Sequence, residues 1–170
     1  LFDTMVENYR RQIAGLLEGG ADLLAAETLL YPQDAEAILT AAELEGAETV
    51  MYSFTMQPDG SFFSGMDAGK TLRELEEAGA AAVGFNCVAA DMMTPGLVSK
   101  LRRQVKGPLI CKPNAGIPVI QPGNVVEYPM LPDEFADIVA DCHAMGAKIL
   151  GGCCGTAPEY IAAVKERVCK

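Results

Sequence analysis

Cysteine is the residue type whose placement in this chain could do chemistry. Of six cysteines, two are adjacent in the run Gly151-Gly152-Cys153-Cys154-Gly155-Thr156. The run follows Ala147-Lys148-Ile149-Leu150, a short apolar segment that reads as a buried strand. It precedes Thr156-Ala157-Pro158-Glu159, whose Thr-x-x-Glu form is that of a helix-opening capping box. Neighbouring side chains of a strand point to opposite faces, but glycine on both sides lets the backbone bend until both sulfurs aim at one point. Two thiols so aimed suit a soft metal ion, whereas cysteines buried only as small apolar residues would need no such frame. A third, Cys87, ends the run Gly84-Phe85-Asn86-Cys87. Three thiolates make a zinc site with a net charge of about −1 and leave the fourth tetrahedral position to water or a substrate atom. A closed structural site would want a fourth protein ligand, and the single histidine, His143, falls on a predicted helix beside Cys142. Cys111, Cys142 and Cys169 are assigned to packing or to the terminus.

The elements that must position these sulfurs follow from periodicity. Apolar residues at helical spacing predict helices over residues 5–17, 33–44, 68–78, 94–105 and 132–145, the fourth opened by Thr94 as cap and Pro95 as first residue. Apolar runs beginning near residues 22, 48, 81, 108 and 147 read as strands covered on both faces. Between 117 and 131 the chain reads as a loop bearing Pro and Gly. Alternating helices and buried strands at this spacing mean a parallel sheet with right-handed crossovers. A doubly wound sheet and a (β/α)8 barrel both fit. The barrel is favoured because every polar strand tip falls at a C-terminal end: Glu27, Ser53 and Thr55, Asn86 and Cys87, Asn114, Cys153 and Cys154. No Gly-x-Gly-x-x-Gly turn suggests a dinucleotide fold. Five strands cannot close an eight-stranded barrel, so the expectation is a partial barrel of about five β/α units with three strands missing at the front.

Composition bounds the rest. At 170 residues and 50% hydrophobic content, a single domain over residues 1–170 is expected. Thirteen basic and twenty-three acidic residues leave a net charge of −10, which repels nucleic acid and anionic lipid and favours a small ligand. Neither a membrane span nor a signal core is evident, so a soluble cytoplasmic protein with reduced thiols is expected.

In their order and spacing, Gly84-Phe85-Asn86-Cys87, Lys112-Pro113-Asn114-Ala115-Gly116 and Gly151-Gly152-Cys153-Cys154-Gly155-Thr156 resemble the homocysteine S-methyltransferase family. The Pro-Asn-Ala-Gly loop is most similar to that of its cobalamin-dependent members. The resemblance implies a (β/α)8 barrel, of which this chain would be the C-terminal five-strand part. It implies zinc held by Cys87, Cys153 and Cys154, with the homocysteine sulfur as fourth ligand. Glu27 and Asn86 match positions bordering the amino-acid pocket. The implied reaction is zinc-dependent methyl transfer to homocysteine, giving methionine. Methylcobalamin would carry the methyl group on another module, and corrinoid- and folate-binding modules would be the partners. Sibling enzymes using betaine, S-methylmethionine or S-adenosylmethionine share the three cysteines, and a catalytically silent barrel fragment is a further alternative. The family's opening strand, with its Asp-Gly loop, has no counterpart here. Two open sheet edges would then favour a homo-oligomer.

Overall fold

The computed structural model describes residues 1–93 and 95–169. Along the chain lie α1 (Phe2–Glu18), β1 (Leu24–Leu29), α2 (Pro32–Glu45), β2 (Val50–Phe54), α3 (Ala68–Glu77) and β3 (Ala82–Ala89). There follow α4 (Pro95–Arg102), β4 (Leu109–Asn114), β5 (Val119–Gln121), β6 (Val125–Glu127), α5 (Pro132–Ala144), β7 (Ile149–Leu150) and α6 (Pro158–Val168). A short 3-10 turn, Ala90–Met92, leaves β3. The Thr94 cap expected before α4 lies outside the described residues.

Five strands form one parallel sheet in the order β1-β2-β3-β4-β7. Register separates their side chains into two faces. Tyr52 aligns with Val83 and Val83 with Leu109, while Phe54 aligns with Phe85 and Phe85 with Cys111. These residues are buried, in one cluster with Val6 and Ile13 of α1, Ile38 of α2, Leu72 of α3, Leu101 of α4, Phe135 of α5 and Val164 of α6. The opposite face carries Ala25, Glu27, Met51, Ser53, Ile110, Lys112 and Ile149, which share a cavity of about 10 Å³. Helices on one face and a mixed apolar and charged concave face on the other make this a parallel α/β fold of the (β/α) barrel type, five strands of it.

Local chemistry explains the elements. The alanine face of α2 (Ala35, Ala37, Ala41, Ala42) is buried, which lets α1 approach closely, and Arg10 of α1 binds Glu45 of α2 at 2.7 Å. Gly46 ends α2 with φ +73°, a left-handed turn that returns its N–H to the last carbonyls. Gly84 is required by the approach of two strands: a Cβ there would lie 2.2 Å from the Ile110 carbonyl oxygen.

Two features depart from expectation. Residues 117–131 are not plain loop: β5 and β6 pair antiparallel with Val119 opposite Glu127. Pro122-Gly123-Asn124 masks this hairpin in the sequence, and its strands have no buried face to impose a clear period, with Val119, Ile120, Val125 and Val126 all exposed. The capping box at Thr156 does not form. Ala157 is the cap residue of α6, with no side-chain bond, and the Thr156 hydroxyl instead donates to the Cys153 carbonyl at 2.8 Å. Pro158 at the first helical position pushes the start one residue beyond the pattern. As expected of a strand tip at Asn114, β4 runs through that residue, and its backbone pairing with the segment after β7 continues past the last residue of β7.

Candidate metal centre

The sulfur corner is built by two backbone irregularities and one extended ladder. The register between β3 and β4 shifts between Asn86 and Ala89, and that between β1 and β2 shifts between Ala26 and Leu29. At these bulges Cys87 has φ +58° and Thr28 φ +59°. A left-handed backbone is uncommon at any residue but glycine and is an outlier at a β-branched one, so surrounding contacts must hold both. The bulge turns the Cys87 sulfur away from the alternation of the strand and toward the end of β7.

Beyond β7 the chain stays hydrogen-bonded to β4. Gly151 N–H donates to Cys111 O at 3.2 Å, Cys153 N–H to Pro113 O at 2.8 Å and Ala115 N–H to Cys154 O at 2.9 Å. The Asn114 side-chain oxygen accepts from Cys154 N–H at 2.9 Å. The pair thus rides on the Pro-Asn-Ala segment of β4, and the turn closes at Gly155, whose φ is +78°. Tyr128, just past the hairpin, lies so close over Gly155 that a Cβ there would stand 2.2 Å from its ring.

Asn86 ties the corner together. It is 1% exposed. Its amide oxygen accepts from Thr28 N–H and from Ser53 Oγ, each at 2.9 Å. Its amide nitrogen donates to Thr28 Oγ1 at 2.6 Å and to Cys153 Sγ at 3.6 Å. One side chain therefore stabilises the left-handed Thr28, links three strands and orients a sulfur.

Three sulfurs meet at the result. Cys87 Sγ lies 2.7 Å from Cys153 Sγ and 3.7 Å from Cys154 Sγ, and all three lie within 4.8 Å of one another. Zinc–sulfur bonds of about 2.3 Å set thiolates about 3.8 Å apart at tetrahedral corners. The Cys87–Cys154 edge already has that length, and the Cys87–Cys153 edge opens by about 1 Å to reach it. Cys154 is exposed and the other two half-buried, so the donor set is soft, anionic when deprotonated, and open on one side. It fits a zinc ion with a free fourth position.

Charge is distributed unequally. Without metal, burial and then hydrogen bonds with Cys153 and Cys154 push the Cys87 thiol up to about 12. Burial also raises Cys153, but hydrogen bonds from Cys87 and Asn86 outweigh it and hold that thiol below its ordinary value. Of these two thiols Cys153 is the one that ionises more readily, with Cys87 keeping its proton and donating it. Lys112, half-buried on the concave face, is ion-paired with Glu27. Burial lowers its pKa, and the charge of Cys153 opposes that shift.

The residues singled out from the sequence separate into two groups. Cys87, Cys153 and Cys154 converge, with Asn86 beneath them. Glu27 stands on β1, across the concave face, and meets the site through Lys112. Cys111 and Cys142 are buried in the core, and the His143 ring bonds the Ala147 carbonyl at 2.9 Å, at the foot of β7. Asn114, one of the polar strand tips, joins the site as expected, whereas Thr28, Lys112 and Tyr128 are parts of it that the sequence alone does not single out. A lysine in an otherwise apolar strand was a visible signal for one of them. Nothing local marked Thr28, because its role depends on a partner 58 positions away.

The sequence pattern of homocysteine S-methyltransferases matches residues 1–168. Methionine synthase of Mycobacterium tuberculosis is 31% identical over 166 residues, covering 94% of this chain and 14% of that protein. The Mycobacterium leprae methionine synthase is 29% identical over 168 residues, with 14% of its length covered. Among solved structures, the apo form of the homocysteine methyltransferase MmuM from Escherichia coli superposes with a TM-score of 0.78 at 28% identity, covering 98% of this chain and 57% of that one. The metallated form of the same enzyme gives 0.77 at 29% identity. The chain thus spans about a seventh of the curated relatives it matches, 14%.

Proposed function

Because this chain belongs to the homocysteine S-methyltransferase family, we propose that its three-sulfur corner holds zinc and presents the thiol of homocysteine for methylation, giving methionine. The observation that carries this reading is the convergence of Cys87, Cys153 and Cys154 within 4.8 Å with one side open. Bound zinc supplies the positive charge that favours the substrate thiol as its thiolate, so that no histidine base is required. The chain's own residues do the rest. Asn86 fixes Cys153, Asn114 fixes the backbone of Cys154, and the Cys87 bulge closes the triangle. Three anionic sulfurs limit how much electron density the metal withdraws from a fourth, which keeps the substrate sulfur nucleophilic toward a methyl group. Glu27 borders the amino-acid pocket, and Asn86 serves it by positioning rather than by contact, since both its amide groups are satisfied inside the protein.

We assign the methyl donor to methylcobalamin carried on another module, with corrinoid- and folate-binding modules as partners. What supports this reading over the betaine, S-methylmethionine or S-adenosylmethionine alternatives is that the chain covers only 14% of the methionine synthases it matches, which leaves most of such a protein for further modules. Residues 1–170 are read as one partial-barrel domain. Among the described residues no helix is long and apolar enough to cross a membrane.

Calorimetry of the zinc-loaded protein with homocysteine, in buffers of different ionisation enthalpy, tests the reading. Binding should release a proton near neutral pH, because a free thiol of pKa about 8.5 must lose its proton to join the metal. Binding without proton release would overturn it.

A further inference from the structure

Lys112 is the one basic residue in any strand among the described residues. The other ion-paired cations, Arg10, Arg11, Lys70, Arg73, Lys100 and Arg167, belong to helices. Lys112 stands opposite Asn86 in the β3–β4 register, beside the amide that touches Cys153. Its methylenes lie against Gly151, where a Cβ would come within 3.0 Å of Lys112 Cγ and Cδ. The side chain is thereby laid across the concave face, and its ammonium meets the Glu27 carboxylate of β1, spanning β2 and β3.

A stability role accounts poorly for this pair. Desolvating a cation on a sheet's inner face costs about as much as a partly exposed partner returns. An apolar residue would serve packing as well. What the pair does supply is two opposite charges side by side, next to three sulfurs. A free amino acid carries the complementary arrangement, an ammonium and a carboxylate on one carbon, and in homocysteine two methylenes lead from that carbon to the thiol. Asn86, the other polar group at this level, has no free donor or acceptor to offer.

We propose that Lys112 is a specificity-determining residue: its ammonium receives the α-carboxylate of the amino-acid thiol, the Lys112–Glu27 pair opening to admit it. This rests on the thiol-acceptor reading above and adds to it the group that distinguishes an amino-acid thiol from a simple alkanethiol.

The test compares homocysteine with 3-aminopropane-1-thiol, which lacks only the carboxylate, by calorimetry on the zinc-loaded 170-residue chain, with metal content and thermal melting as controls. The parent protein should prefer homocysteine by about tenfold, the scale of one charge-assisted hydrogen bond at a partly exposed site. Lys112→Met should erase that preference by weakening homocysteine alone, and Lys112→Arg should restore part of it. A preference that survives in Lys112→Met overturns the inference and leaves the thiol-acceptor reading standing. Equal loss of both thiols in Lys112→Met at full metal content also overturns it, since that is what a merely structural lysine would give. If neither thiol binds the parent protein, the thiol-acceptor reading fails and this inference fails with it.

Discussion

Replacing Asn86 by Asp keeps the shape of the side chain and changes one group, the amide nitrogen, into a second oxygen. The two acceptor bonds from Thr28 N–H and Ser53 Oγ can persist. The donor bonds to Thr28 Oγ1 at 2.6 Å and to Cys153 Sγ at 3.6 Å cannot, and an anion now faces a thiolate. Two unit charges at that separation repel by ~4–5 kcal/mol at an effective dielectric of about 20. Cys153 is half-exposed, so water screens the pair to about 2 kcal/mol, which is about 30-fold in zinc affinity. Asn86→Ala provides the contrast. It adds no charge, but it leaves the part-buried Thr28 N–H without its side-chain partner and should cost about 1–3 kcal/mol of stability. Competition against a chromogenic chelator, with chemical denaturation alongside, reads both quantities. Asn86→Asp with parent-like zinc affinity would refute the claim that this amide tunes the sulfur corner.

Three further outcomes follow from named contacts. Replacing Cys87, Cys153 or Cys154 by Ala should each reduce zinc content measured by atomic emission, whereas Cys142→Ala, deep in the core, should lower stability by about 1 kcal/mol and leave zinc content unchanged. Tyr52 is 0% exposed and its hydroxyl has no partner, so Tyr52→Phe should not destabilise the fold. Burial, and then Glu43, raise this phenol from 10.0 to about 12. Its contribution is thus whole below the unfolded value and is lost as pH rises toward about 12, and Tyr52→Phe should abolish ~2–3 kcal/mol of alkaline destabilisation in denaturation curves between pH 9 and 12. The sheet ends at β1 and β7 without further neighbours among the described residues, and a cleft of about 380 Å³ between α1 and β1 leaves Leu16 and Glu27 open. The chain studied alone should therefore scatter light as a dimer or larger species, and a monodisperse monomer would count against edge pairing.

The parts of the fold visible in the sequence were those with an uninterrupted local signal. Strands covered on both faces announce themselves as apolar runs, and all five were placed to within a few residues. The hairpin of β5 and β6 has both faces in water, so its alternation carried no burial pattern and its Pro-Gly turn looked like loop. Cys87, Cys153 and Cys154 were legible because glycine frames and strand tips are local features. How they meet was not: the left-handed backbone at Thr28 is held by Asn86, that at Cys87 arises at a bulge in the β3–β4 register, and Lys112 depends on a carboxylate 85 positions earlier by residue number, Glu27. Thr156 shows the opposite failure. Its capping pattern was sound locally, but the nearer Cys153 carbonyl takes the hydroxyl.

X-ray absorption at the zinc edge, on the chain with and without homocysteine, reads the coordination shell of the three-sulfur corner itself. Three sulfur scatterers at about 2.3 Å and one lighter atom are expected in the absence of substrate, becoming four sulfurs when homocysteine is added. Fewer than three protein sulfurs, or a coordination shell unchanged by homocysteine, would contradict the proposed function.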